Sequence, residues 1–201
     1  MTDTHTIDPT RTALLVMDYQ NGIVTMTTGA GSEDALARTI EAATLLRKAG
    51  GRVGYVRVAF TDEDIAAIPA TSHFASMVTP ERRDYLHADS PATAIDERIT
   101  PEDGDIVVRK TRVGAFSTTD LHEQLRAANV DTLLIAGLST SGVVLSTVRD
   151  ATDRDYRIVV LADACADPTP GVHEFLTQKV FPRQTTVIQT AELGALLTAG
   201  S

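Results

Sequence analysis

The chain has 201 residues, of which 43% are hydrophobic and 22% charged. That suits one domain with its own core and excludes a disordered or membrane-embedded chain. Eighteen Lys and Arg stand against 27 Asp and Glu, a net charge of −9, so the basic footprint of a nucleic-acid binder is missing. The single cysteine, Cys165, excludes an intrachain disulfide framework and makes its thiol the first candidate nucleophile. The opening MTDTHTIDPTRT lacks the basic-then-apolar pattern of a signal peptide. No apolar run approaches the ~18 residues of a membrane span. These features point to a cytoplasmic protein with a small-molecule substrate and neither nucleic-acid nor membrane partners.

Short β-branched runs alternate with amphipathic stretches. TALLVM at 12–17 predicts a buried strand. Leu36, Ile40, Ala43 and Leu46 recur at helical spacing and predict a helix over 33–49, stopped by Gly50-Gly51. Strands follow at 52–59 and 105–109, then a helix over 118–128. A strand at 132–136, a helix over 141–154 and a strand at 156–161 come next. A helix over 170–181, a strand at 185–188 and a helix over 191–197 close the chain. Continuously apolar strands alternating with helices imply right-handed crossovers. The expected fold is a three-layer α/β/α domain, Rossmann-like, with a six-stranded parallel sheet. Residues 60–104 break the rhythm with Pro69, Pro80, Pro91 and Pro101 and the charged run Glu81-Arg82-Arg83-Asp84. A long irregular insertion predicts a lid, a rim over a site, or an oligomer contact.

Ligands of open parallel sheets bind beyond the carboxyl ends of the strands. Asp18, Tyr19 and Gln20 follow the first strand. Arg57 and Phe60 lie at the end of the second, and Lys110 and Arg112 at the end of the third. Leu138, Ser139, Thr140 and Val143 follow the fourth. Asp18 ends an apolar strand, where burial raises a carboxyl's pKa and a nearby cation lowers it. Such a group serves as general acid or base, or merely caps a turn. Lys110 either stabilises developing negative charge or is a snorkelling surface lysine. Gly137–Thr147 (GLSTSGVVLST) opens a helix whose free N–H groups suit an oxyanion or carboxylate, with ordinary capping as the plainer role. It is neither a Walker loop nor a dinucleotide fingerprint. His73, His87, His122 and His173 are scattered and His5 lies near the terminus, so neither a metal nor another cofactor is expected. Arg57 and Arg112, with Arg82 and Arg83 on the rim, are candidates to hold a substrate carboxylate. Tyr19, Phe60, Phe74 and Phe116 are candidates for its apolar part.

Together, ALLVMDYQNGIV, VVRKTRVGAFSTTDL, LLIAGLSTSGVVLSTVRDA and RIVVLADACAD resemble the ordered motifs of the isochorismatase-like hydrolases, or cysteine hydrolases, over residues 12–197. The resemblance implies homodimers or homotetramers, with Asp18 as catalytic aspartate and Lys110 as catalytic lysine. Ala115-Phe116 matches the family's Ala-Phe pair. It also implies a non-proline cis peptide at Leu138–Ser139, turning the N–H groups of Ser139 and Val143 toward an oxyanion. The amidohydrolase pattern G-x-x-T-x-x-C-V-x-x-T falls on Gly137, Thr140, Val144 and Thr147, and its cysteine position falls on Val143. Cys165 maps one crossover away, where it reads as a buried filler. The nicotinamidase metal motif is replaced by Phe60-Thr61-Asp62-Glu63. Thioester chemistry is therefore not expected. The favoured expectation is non-covalent Asp/Lys acid–base hydrolysis of a small carboxylated or carbonyl metabolite, as in vinyl-ether hydrolysis. Two alternatives stand beside it. One is an amidohydrolase using Ser139, Thr140, Ser141 or Ser146 as a substitute nucleophile. The other is a non-catalytic small-molecule-binding homologue.

Overall fold

The computed structural model describes residues 6–197, so His5 lies outside the described residues. Strand β1 (Thr12–Met17) is buried at every position, as its unbroken apolar run requires. A short helix α1 (Asn21–Met26) follows, which the uncapped sequence does not announce. Helix α2 (Ser32–Lys48) buries Leu36, Ala43 and Leu46 on one stripe. Glu33 and Asp34 in its first turn and Arg47 and Lys48 in its last complement the helix dipole. Gly50 at φ +88° then takes the left-handed conformation that closes a helix.

Strand β2 is Arg52–Val58 and β3 is Ile106–Lys110. Between them lie the short helices α3 (Asp62–Ala66), α4 (His73–Met77) and α5 (Pro80–Leu86), followed by two 3₁₀ turns. Helix α6 (Leu121–Ala127) is shorter than its apolar pattern suggests, because Thr118 adopts φ +63° and ends the helical path upstream. Strand β4 (Thr132–Leu138) runs two residues past its expected end. The helix expected over 141–154 is two pieces, a π-helical turn Thr140–Val144 and then α7 (Leu145–Asp153). Strand β5 (Arg157–Ala166) is ten residues long, overrunning its expected end at 161. After a register shift between Ile135 and Gly137, pairing resumes at Gly137↔Cys165 and Leu138↔Ala166. Cys165 is thus a strand residue rather than a loop thiol. The helix expected over 170–181 is α8 (Val172–Phe175) followed by a π-helical turn Leu176–Val180. Strand β6 (Thr186–Ile188) and α9 (Leu193–Leu196) complete the described chain. Among the described residues no helix is long and apolar enough to cross a membrane.

The six strands are all parallel, in the order β3-β2-β1-β4-β5-β6. Two apolar clusters flank the sheet. One joins α2 and α9 to Leu14, Val16 and Leu134; the other joins α6 and α7 to Leu15, Met17 and Ile135. The winding direction reverses between β1 and β4, so the switch point that favours a ligand crevice lies where Asp18 and Leu138 end adjacent strands. Gly137 is needed there. A Cβ would come within 3.0 Å of Val144 and 3.2 Å of Met17, so a larger residue would push the turn off β1.

Candidate active site

Asp18 leaves β1 at φ +60°, a left-handed conformation that Asp tolerates better than β-branched residues do. Its own N–H donates to the Val56 carbonyl at 2.8 Å, fixing it to the end of β2. Lys110, the last residue of β3, turns its ammonium onto Asp18. Nζ lies 2.9 Å from Oδ2, and both residues are almost wholly buried. Nζ also donates to the Arg112 carbonyl at 3.1 Å. The other carboxylate oxygen, Asp18 Oδ1, is buried without a hydrogen-bond partner among the described residues. Burial pushes the Asp18 carboxyl above its ordinary value, while the charge and hydrogen bond of Lys110 oppose that shift.

The turn after β4 closes the third side. The Leu138–Ser139 peptide is cis, as the motif resemblance implies. The Ser139 carbonyl accepts from the Gly142 and Val144 N–H groups. Asp167, just beyond β5, accepts the Ser141 N–H at 2.7 Å. Val143 is 2% exposed and shares the apolar cluster of Met17 and Ala115. The Ala115 N–H donates to Thr147 Oγ1 at 3.0 Å, tying the loop after Lys110 to α7.

Several expected substrate contacts are committed elsewhere. The Tyr19 hydroxyl donates to the Ala164 carbonyl at 2.9 Å, deep in the cluster under α2. Gln20 is a clamp: Nε2 donates to the Val58 and Thr93 carbonyls and Oε1 accepts the Val58 N–H. Arg57 Nη1 reaches the Ala88 and Thr93 carbonyls. Phe116 stacks on Tyr156 with 5.9 Å between ring centres and lies under Arg154, in the core beneath α6 and α7. Each side chain satisfies a polar or apolar demand of the fold before any ligand arrives. Leu138 is buried in the cluster under α2. Thr140, wholly buried, shares a 2.9 Å hydrogen bond with His173 Nδ1. That partner is 33 residues away, so no local pattern announces it. Phe60 and Arg112 do gather beside Lys110, through Phe74. Its ring lies 5.9 Å from that of Phe60, and the Arg112 guanidinium stands 5.5 Å over it.

Two consequences are measurable. Replacing Gln20 with alanine takes the side-chain partner from the Val58 N–H and carbonyl and leaves the Thr93 carbonyl its longer contact from Arg57, and should destabilise the fold by about 1–3 kcal/mol in chemical denaturation. Cys165 is buried in β5, and burial pushes its thiol up to about 12. At pH 8 its thiolate fraction is then about 10⁻⁴. Iodoacetamide should leave it unmodified in the folded protein; rapid alkylation would contradict that placement.

The Isochorismatase domain model matches residues 12–192. The chain belongs to the isochorismatase family. This isochorismatase-family chain is 34% identical to an isochorismatase family protein of Bacillus subtilis, covering 91% of this chain and 92% of that one. It is 32% identical to a ureidoacrylate amidohydrolase of Methylobacterium radiotolerans, over 82% of this chain and 70% of that one. The solved structure of an isochorismatase family protein from Burkholderia thailandensis superposes with a TM-score of 0.81 at 28% identity. That match covers 96% of this chain and 98% of the other.

Proposed function

We propose that this isochorismatase-family chain is a hydrolase of small carboxylated or carbonyl metabolites that forms no covalent intermediate. The observation that carries the reading is the buried Asp18–Lys110 pair with one carboxylate oxygen left over. A buried polar atom without a partner is costly, and a substrate group supplies the missing contact. In the favoured scheme, Asp18 gives its proton to the vinyl carbon of an enol ether. Water adds at the ether carbon, and the hemiketal breaks to an alcohol and a carbonyl product. Water's proton restores Asp18. Lys110 balances the charge that comes and goes on the carboxyl. The acid form is the working form and its pKa is raised, so kcat/KM should fall as pH rises through that value.

The test is a hydrolysis screen with isochorismate, ureidoacrylate and a set of simple primary amides. Turnover should appear with the enol ether and vanish in Asp18→Asn, while Cys165→Ser stays within about twofold of the parent. Loss of activity in folded Cys165→Ser would overturn the reading.

The Thr140–His173 contact favours one second reading. In it the Thr140 hydroxyl, with His173 as base, attacks an amide or ureido carbonyl. The sequence resemblance to an amidohydrolase supports this version, and the complete burial of Thr140 counts against it. An acyl group trapped on Thr140 and located by mass spectrometry would establish it.

A further inference from the structure

The insertion between β2 and β3 divides into two unlike halves. Residues 87–99 are sewn to the sheet. Thr93, Asp96 and Ile99 are buried, Gln20 and Arg57 grip the Thr93 carbonyl, and Asn21 and Asp96 exchange backbone bonds with Ala94 and Tyr19. Residues 61–86 are not. Their backbone hydrogen bonds close on themselves, and the segment meets the sheet at a narrow neck. There the Phe60 N–H donates to the Leu86 carbonyl and the Ala88 N–H donates to the Phe60 carbonyl. Across these 26 residues Phe74 is the one buried side chain. It sits on Phe60, at the end of β2, and under the guanidinium of Arg112, whose carbonyl holds Lys110. Asp64 adds a 2.6 Å ion pair to Arg109, partly exposed and worth little. Asp18 and Lys110, reached from the segment through Arg112, are closed from solvent at 5% and 2% exposure.

We propose that residues 61–86 form a hinged flap that opens at the Phe60–His87 neck to admit substrate, with Phe74 as its latch. Away from the neck, where Tyr85 packs against Gly22, the closed state rests on the Phe74 ring, its cation–π contact and the Asp64–Arg109 pair. Such contacts contribute about 0.5–2 kcal/mol beyond area burial, a scale compatible with repeated opening. Segments with few buried apolar contacts are the ones that open locally without global unfolding. Loop opening and closure of this kind gates entry to a buried acid–base pair and commits the substrate once it is bound.

The test needs no turnover. V143C places a thiol in the buried turn after β4, clustered with Met17 and Ala115, and native Cys165 in β5 serves as an internal reference for global unfolding. Alkylation by iodoacetamide is followed by mass spectrometry across pH, and the plateau rate of the thiolate separates access from any change in its pKa. Adding Phe74→Ala should raise that plateau rate at least tenfold while Cys165 remains unmodified. Phe74→Tyr, which keeps the ring, should stay within threefold of V143C alone. In hydrogen exchange, Phe74→Ala should accelerate the amides of 61–86 and leave those of β1, β4 and β5 unchanged. If Phe74→Ala does not fold, Phe74→Leu carries the same comparison. An unchanged plateau rate would overturn the latch. Alkylation of Cys165 in step with the new thiol would overturn the flap, because the opening would then be global.

Discussion

Asp18→Asn should lower kcat/KM of any substrate found by about 10²–10⁴-fold, the span that positioned acid–base groups supply. The same substitution should also cost stability, and the two effects have separate causes. The introduced amide would be nearly the same size as the carboxylate, but it would leave the Lys110 ammonium buried without a counter-charge. Breaking one side of a buried pair typically costs about 3–5 kcal/mol. Removing both sides is different. The double variant Asp18→Asn with Lys110→Met leaves no buried charge, and it should recover most of the lost stability while remaining inactive. Urea denaturation with a constant m-value reads the first quantity and steady-state rates read the second. Recovered stability without recovered activity would show that the pair is kept for chemistry rather than for folding. Activity surviving in folded Asp18→Asn would remove Asp18 from the reaction.

Lys110→Met alone tests the pair from the other side. Asp18 would be left buried without its cation, and a carboxyl can escape that penalty by holding its proton. Burial already pushes Asp18 upward and Lys110 is what restrains it. Losing Lys110 should therefore move the falling limb of the pH–rate profile to higher pH. A limb that stays in place would mean that another group supplies the proton.

The fold was readable because parallel strands buried on both faces must be apolar throughout, as TALLVM in β1 is. The pairing of Asp18 with Lys110 was readable for the same reason. In an α/β sheet, polar residues at carboxyl ends of strands converge, and these two end strands separated only by β2. What stayed hidden depends on partners far along the chain. Gln20 looks like a free amide beside a catalytic residue until Thr93 arrives 73 positions later. Phe116 looks like a site wall until Tyr156 supplies a stacking face. The strand expected to end at 161 runs on to Ala166 because pairing with Gly137 and Leu138 holds ADACA extended. The π-helical turn at Thr140–Val144 has no sequence signature. It is closed by the Val144 N–H donating five residues back to the Ser139 carbonyl, while the Asp167 carboxylate takes the Ser141 N–H.

Val143→Cys should create an activity rather than remove one. On the reading that Val143 occupies the family's nucleophile position, the substitution sets a thiol where Asp18 can take its proton and Lys110 can balance the charge. Val and Cys differ little in volume, so the packing cost should be about 1 kcal/mol or less. The contrast with Cys165 is physical rather than positional. Cys165 is held in β5 with its thiol pushed up to about 12. A thiol near the free value of about 8.5 carries roughly 10³ times more thiolate at pH 8. The expected result is alkylation of the introduced thiol far faster than that of Cys165, and a burst of acyl-enzyme with ureidoacrylate or a primary amide. Amide turnover should exceed the parent's by about 10²-fold and should disappear when Asp18→Asn is added, since an unassisted thiol lacks its base. If the new thiol is no more reactive than Cys165, the turn does not present position 143 to the pair. Position 143 would then not be a nucleophile position in this fold, and the reading that places it there would fail.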